Sequence, residues 1–94
     1  TALILAAGYD RVAITKLLLD SGADVNIQDK NGYTALIMAA GCGRVEIAEL
    51  LLDNGADANM QNEEGNTALI MAVEYGRVGI VKLLKNAKHS VSGK

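Results

Sequence analysis

Several residue types that usually build or fasten a protein core are missing from this chain. Its 94 residues include no Phe, no Trp and no Pro, and the only aromatic residues are three Tyr. A core must therefore come from Leu, Ile, Val, Ala and Met, which favours thin, regular layers over packing around large rings. Ninety-four residues allow one domain at most, with a modest core. We therefore predict a single domain over residues 1–94.

Cysteine and histidine are almost as scarce. Cys42 and His89 are the only residues of their types, and they lie far apart in the sequence. A lone cysteine excludes an internal disulfide and suits a reducing compartment, so we expect a cytoplasmic location, with the nucleus as the alternative. Neither a Cys/His nucleophile pair nor a zinc cluster can be assembled. We expect no catalytic residue, no metal and no cofactor, and predict that the chain is not an enzyme.

Long apolar runs and a concentrated basic face are also lacking. The longest apolar runs span six residues, as in Ala35–Ala40, which is too short for a bilayer, so we expect no membrane insertion. The formal net charge is −2, which argues against nucleic acid as a partner.

What the chain does have is an internal repeat. The phrases TALILAA, TALIMAA and TALIMAV begin at Thr1, Thr34 and Thr67, at a constant interval of 33 residues. Residues 1–28 aligned with residues 34–61 give 19 identities. A fixed period of this length indicates a stacked repeat architecture. The units are approximately 1–28, 29–61 and 62–94, the first truncated and the last a degenerate C-terminal cap.

The pattern inside a unit predicts two helices and a turn. Thr34 is a good N-cap for the first helix, and Gly43 interrupts the helical sequence. Residues 45–52 then carry apolar side chains at a spacing that fits a helix with a wide buried face. Gly55 stands where a left-handed residue ends such a helix, and Gly32 marks a tight, hairpin-like turn before the next Thr.

The middle unit resembles a known family. Its sequence, DKNGYTALIMAAGCGRVEIAELLLDNGADANMQ, is similar to an ankyrin repeat, whose usual form is roughly D-x-x-G-x-T-P-L-H-x-A-A-x-x-G-H-x-x-I-V-x-L-L-L-x-x-G-A-D-x-N. The resemblance covers nearly the whole chain. Two-helix repeats of the tetratricopeptide type lack the Gly-Ala-Asp ending. The resemblance implies an all-α ankyrin-repeat solenoid, in which stacked antiparallel helix pairs are joined by hairpin-like turns.

Three departures from the family form recur or stand out. Ala replaces the Pro of the family in every unit, which gives up some pre-organisation of the first helical turn. Ile4, Ile37 and Ile70 replace its His, and we expect them to extend the apolar packing. Asp10 stands where the other units have Gly, and Asp tolerates a left-handed backbone better than most residues.

The two ends of the chain predict different behaviour. Near the C-terminus Lys85 replaces a Leu of the earlier units and Lys88-His89-Ser90 replaces Gly-Ala-Asp, which predicts a closing unit that frays over residues 90–94. The first unit has no such polar outer face. We expect that the chain is cut from a longer one or that another subunit covers this edge, with end-to-end self-association through the uncapped first unit as a possibility.

Candidate partner-binding residues are the positions that vary between units while the framework stays constant. In the ankyrin family the turn tips and first helices line a groove for protein partners, and Tyr is a good contact residue. Carried over by position, the candidates are Tyr9, Lys30, Asn31, Tyr33, Cys42, Glu63, Glu64, Asn66, Glu74 and Tyr75. The acidic tip residues Asp29, Glu63 and Glu64 hint at a basic partner.

The arginines in register and Asn26 can each be explained either by a structural role or by a chemical one. Arg11, Arg44 and Arg77 recur in register, and anchoring of loops together with solvation explains them more simply than anion binding does. The family resemblance also marks Asn26, in LLLDSGADVN, as a candidate for hydroxylation, although capping of its loop by hydrogen bonds is the simpler role.

These observations predict a non-catalytic module that binds another protein through turn tips and inner helices. Two alternatives remain open. The chain could be a passive spacer within a longer ankyrin array, or it could target an enzyme encoded elsewhere in the parent chain. The sequence does not identify the partner, because one scaffold serves many unrelated interactions.

Overall fold

The protein forms six helices in sequence order. The computed structural model describes the backbone of residues 1–92 and the side chains of residues 1–86. Within residues 1–92 there is no β-strand, which confirms the prediction of an all-α fold. The helices are α1 (Ala2–Gly8), α2 (Val12–Asp20), α3 (Ala35–Cys42), α4 (Val45–Asp53), α5 (Ala68–Glu74) and α6 (Val78–Ser92).

The helices pack as two layers, and each unit contributes one helix to each layer. The inner layer consists of α1, α3 and α5, with α3 packed between the other two. The outer layer consists of α2, α4 and α6 in the same order. Each inner helix also packs against the outer helix that follows it in the chain. This is the stacked arrangement of helix pairs that the repeat predicts.

Local signals in the sequence determine where the helices begin and end. The Thr34 and Thr67 hydroxyls accept hydrogen bonds from the N–H groups of Ile37 and Ile70, at 3.1 and 3.2 Å, as N-caps should. Gly55 has a left-handed φ of 89° just after α4. Asp10 has a φ of 63°, which confirms that it occupies the left-handed position where the other units have Gly.

The core lies in the middle of the stack. Its largest fully buried side chains include Leu36, Ile47 and Leu51. Of the three Ile residues that replace the family's His, Ile4 and Ile37 are buried, as expected, but Ile70 is 45% exposed. The expectation was wrong for Ile70 because the following unit covers this position in the first two units, whereas Ile70 lies on the last one.

The first unit leaves an apolar face uncovered. Leu5, Ile14 and Leu17 are 60%, 50% and 65% exposed, whereas Ile47 and Ile80, the equivalents of Ile14, are completely buried. We call Leu5, Ile14 and Leu17 the N-terminal face. In units 2 and 3 the residues at the same register positions are buried or half-buried. Their exposure agrees with the expected absence of a polar outer face on the first unit.

The last unit differs from the other two. Helix α6 has 15 residues, whereas α2 and α4 have nine, and it continues to Ser92 without a Gly-Ala-Asp turn. Residues 90–92 belong to this helix, fraying of the chain end stays a prediction, and residues 93 and 94 lie outside the described residues. Lys85 is exposed, in keeping with a polar closing unit.

Adjacent turn tips touch through their backbones. Asp29 Oδ1 accepts hydrogen bonds from the N–H groups of Asn31 and Tyr33, both at 2.9 Å, so this carboxylate stabilises its own turn. We call residues 29–33, at the start of unit 2, the second tip and residues 62–66, at the start of unit 3, the third tip. Glu63 N–H donates to the Asn31 carbonyl at 3.0 Å and thereby joins the second tip to the third. A Cβ atom added at Gly32 would lie 2.9 Å from both Asn62 Cα and Glu63 N. The tips therefore form one continuous ridge.

The stacking order predicts that shortening an isoleucine side chain lowers the free energy of unfolding more in unit 2 than at the equivalent position of unit 1. Ile47→Val should lower the free energy of unfolding by about 1 kcal/mol, because it removes a methyl group from a closed core position. Ile14→Val, at the same register position on the N-terminal face, should change it by less than about 0.5 kcal/mol. Urea unfolding of both variants measures the difference. The comparison is made at a concentration at which the chain is monomeric, and equal losses there would contradict the open N-terminal face.

The ridge of tips makes a second prediction. Gly32→Ala and Gly65→Ala both place a side chain at a φ near 81°, which costs about 1 kcal/mol. No atom lies within 4 Å of a Cβ at Gly65, whereas a Cβ at Gly32 meets the backbone of the next tip. Gly32→Ala should therefore lower the unfolding free energy by a further ~1–3 kcal/mol. Urea titrations that give the same loss for both variants would contradict the contact between the tips.

Candidate partner-binding site

The repeat places side chains of successive inner helices in parallel rows. Met38 and Cys42 are four residues apart on α3, so they lie on one face, one helical turn apart. Met71 and Tyr75 occupy the same two positions on α5. Because α3 and α5 pack side by side, the two pairs lie next to each other.

These rows form a groove, which we call the inner groove. Its volume is about 440 Å³, and no residue of α2, α4 or α6 lines it among the residues that the structure describes. Its lining is Tyr33, Met38, Gly41, Cys42, Arg44, Met71, Tyr75 and Arg77. The groove therefore runs along the inner layer between units 2 and 3, beside the second turn tip.

Glycine on one inner helix makes room for methionine on the next. A Cβ at Gly41 would lie 3.0 Å from Met71 Cε, and a Cβ at Gly8 would lie 3.0 Å from Met38 Cγ. The two Met side chains thus reach back over the preceding helix and form the floor of the inner layer. In the third unit the position of Gly8 and Gly41 is occupied by Glu74. A charged side chain therefore fills the space that glycine leaves open in the first two units.

The arginine column anchors each unit to the one before it. Arg44 donates from Nε and Nη2 to the Gly8 carbonyl, both at 3.2 Å, and Arg77 donates from Nε to the Gly41 carbonyl at 3.1 Å. Both carbonyls lie at the C-terminal ends of inner helices, where acceptors lack helical partners and positive charge is favourable. Loop anchoring was predicted, but the contact crosses between units. Arg11 has no preceding unit in this chain and is exposed.

The structure brings together only some of the candidate binding residues. Tyr33, Cys42 and Tyr75 line the inner groove, with Cys42 partly buried. The other candidates do not line it. Lys30, Asn31, Glu63, Glu64 and Asn66 lie on the two tips, Glu74 is exposed on α5, and Tyr9 is exposed beyond the end of α1.

The candidate modification site has a clear structural role. Asn26 Nδ2 donates to the Gly55 carbonyl at 3.3 Å, and its Oδ1 accepts from Asp57 N–H at 2.7 Å. The side chain therefore ties the end of the first unit to the end of the second. Hydroxylation of Asn26 stays a prediction.

Five of the eight residues that line the groove were not among the candidates: Met38, Gly41, Arg44, Met71 and Arg77. The methionines were treated as framework, and the arginines were noted only as a column in register for which loop anchoring was the simpler role. The helical spacing would have found the methionines, since each lies four residues before a position already chosen, Cys42 or Tyr75. The arginines carry no local signal, because each reaches a carbonyl 36 residues earlier in the chain.

Neither metal ligands nor a membrane span stand out in the described part of the chain. No group of three or more His, Cys, Asp or Glu residues that could hold a metal ion occurs there. Among the described helices, none combines the length and the apolar character needed to cross a bilayer.

Comparison with known proteins identifies the family. The family model for ankyrin repeats, in three copies, matches residues 3–92. No curated protein matches the chain. Ankyrin repeats are generally protein–protein interaction modules, and the family is typically non-catalytic. With the 33-residue period, the stacked helix pairs and this match over nearly its whole length, the chain belongs to the ankyrin-repeat family.

Proposed function

We propose that this chain binds a protein partner through the inner groove and the adjacent turn tips, and that it catalyses no reaction. The observation that carries the proposal is the groove itself. It combines two Tyr, two Met and two Arg side chains within about 440 Å³. Tyr and Arg are enriched among the residues that dominate protein interfaces, and Met adapts its shape to a partner.

The tips extend this surface with charge. Glu63 and Glu64 are exposed on the third tip, and Lys30 is exposed on the second. Asp29 was grouped with the acidic tip residues, but its Oδ1 holds two N–H groups of its own turn. Glu63 and Glu64 remain the acidic residues that favour basic partner residues at the tips.

The alternatives differ in what they expect of the inner groove. A passive spacer makes no use of it, so surface changes there leave binding unaffected. A targeting module binds a partner as we propose, but serves an enzyme elsewhere in the parent chain.

For location we propose the cytoplasm, or alternatively the nucleus, because a lone partly buried thiol suits a reducing compartment.

Removal of the groove tyrosines tests the proposal. Tyr33→Ala with Tyr75→Ala should weaken capture of the proteins that the immobilised chain retains by about tenfold or more, because aromatic contact residues dominate interface energies. Glu49→Ala, an exposed change on the outer helix α4, should leave capture unchanged. Quantitative mass spectrometry of the captured proteins measures both.

Two results would count against the proposal. One is capture of the same proteins to the same extent by the double variant, which supports the spacer. The other is an equal loss with Glu49→Ala, which places binding on the outer layer. Circular dichroism confirms that both variants remain folded.

A second contact surface is favoured by the exposure of the N-terminal face. We propose that two copies associate by pairing these faces. Stacking of one copy's first unit on another's last unit is opposed by Glu74. Glu74 occupies the position in the third unit at which Gly8 and Gly41, in the first two units, leave room for Met38 and Met71 of the following unit. Pairing of the two N-terminal faces avoids Glu74 and covers Leu5, Ile14 and Leu17 on both copies.

Sedimentation velocity over a wide concentration range tests this association. The unaltered chain should form a dimer as its concentration rises, and Leu17→Asp should stay monomeric because it puts a charge on the apolar face. Lys16→Asp, the exposed neighbour, is the matched control and should still dimerise. A monomer at every concentration for the unaltered chain would rule the proposal out.

A further inference from the structure

We propose that the inner groove selects a partner segment in which a carboxylate side chain, from Asp or Glu, lies next to an aliphatic side chain. This inference rests on the proposed function, since it names the chemistry of the segment that the groove receives. It assigns Arg44 and Arg77 a second role, beyond holding adjacent units together.

The groove carries two positive charges and no negative one in its lining. Arg44 and Arg77 both line it, and none of the other lining residues is acidic. Within residues 1–86, Arg77 makes its side-chain hydrogen bond through Nε alone, so both of its Nη groups remain available as donors. Arg44 uses Nε and Nη2, which leaves Nη1. A guanidinium with unused Nη donors matches the geometry of a carboxylate.

The arginines are held in place before any partner arrives. Arg77 is fixed by its bond to the Gly41 carbonyl, and its Cδ, Nε and Cζ atoms lie 3.0–3.4 Å from the position of a Cβ at Gly43. Gly43 thus leaves room for the arginine side chain beside the end of α3. Donors fixed in advance lose less conformational entropy when a ligand binds.

The same groove offers apolar contact beside the charges. Met38 and Cys42 line it from α3, and Met71 lines it from α5. Met71 is buried and Met38 is half-buried, so the floor is apolar while both arginines reach the edge. An aliphatic side chain next to the carboxylate would bury its surface on the methionines, whose thioethers adapt to different shapes.

A carboxylate fits this site better than a phosphate group does. Two guanidinium groups with five N–H donors each keep enough unused donors for either anion, so the surrounding charge decides between a carboxylate and a phosphate. The third tip, which touches the second tip beside the groove, also exposes Glu63 and Glu64. Their negative charge repels a doubly charged ligand more strongly than a singly charged one.

Selection from a random peptide library tests the inference directly. Peptides displayed on phage and selected on the folded chain should be enriched in Asp or Glu beside Leu, Ile, Val or Met. Fluorescence anisotropy of a selected peptide should show affinity about tenfold lower for Arg77→Gln, because a charge-assisted pair is lost. Arg11→Gln removes the equivalent arginine outside the groove and should leave the affinity unchanged.

Changes in the peptide give a reading that does not depend on the fold of a variant. Asp→Asn or Glu→Gln in the selected peptide should weaken binding to the unaltered chain about tenfold, and added salt should weaken the acidic peptide more than its amide form. Phosphoserine at the acidic position should bind less tightly than Asp or Glu.

The contrary outcomes separate this inference from the proposed function. Selected peptides without an acidic residue, or equal binding to the Arg77→Gln and Arg11→Gln variants, would overturn the inference while leaving the groove as a binding site. Tighter binding of phosphoserine would overturn the choice of a carboxylate. Peptides whose binding is unaffected by Tyr33→Ala with Tyr75→Ala would instead contradict the proposed function.

Discussion

Each two-helix unit has apolar side chains that it cannot bury by itself, and stacking on a neighbour is the only way to cover them. This constraint accounts for the constant interval of 33 residues, since only units of identical register bring the same positions into contact. Two repeated contacts then fix how one unit meets the next. Methionine enters the space left by Gly8 or Gly41, and arginine reaches the carbonyl of the same glycine. Packing and hydrogen bonding thus converge on one point of each inner helix.

The candidate binding site is a by-product of the same contacts. The methionine and arginine that join unit 3 to unit 2 also form the floor and one edge of the inner groove. A partner bound there would contact residues already held in position by the stack. The cost of ordering them has therefore been met by folding, which is the usual advantage of binding on a rigid repeat. The middle of the stack is accordingly both the best-packed part of the molecule and the part most suited to recognition.

Local structure could be predicted from the sequence, whereas contacts between units could not. The N-cap at Thr34 and the left-handed Asp10 follow from residue types and short spacings, and both predictions are confirmed. The burial of Ile70 was predicted wrongly because burial depends on a neighbouring unit and not on the residue itself. The role of Asp29 was likewise hidden, since an exposed charge and a turn-stabilising carboxylate have the same sequence signature. The arginine contacts span 36 residues, beyond the range of any local pattern.

Amide hydrogen exchange, followed by mass spectrometry, tests the central claim most directly. Because the stack is stabilised by contacts between neighbours, opening should be hardest for the unit covered on both sides. The account predicts the slowest exchange in α3 and α4, with faster exchange in α1 and α2, whose N-terminal face is open. Amides of α1 and α2 that exchange as slowly as those of α3 and α4, in a monomeric sample, would contradict it.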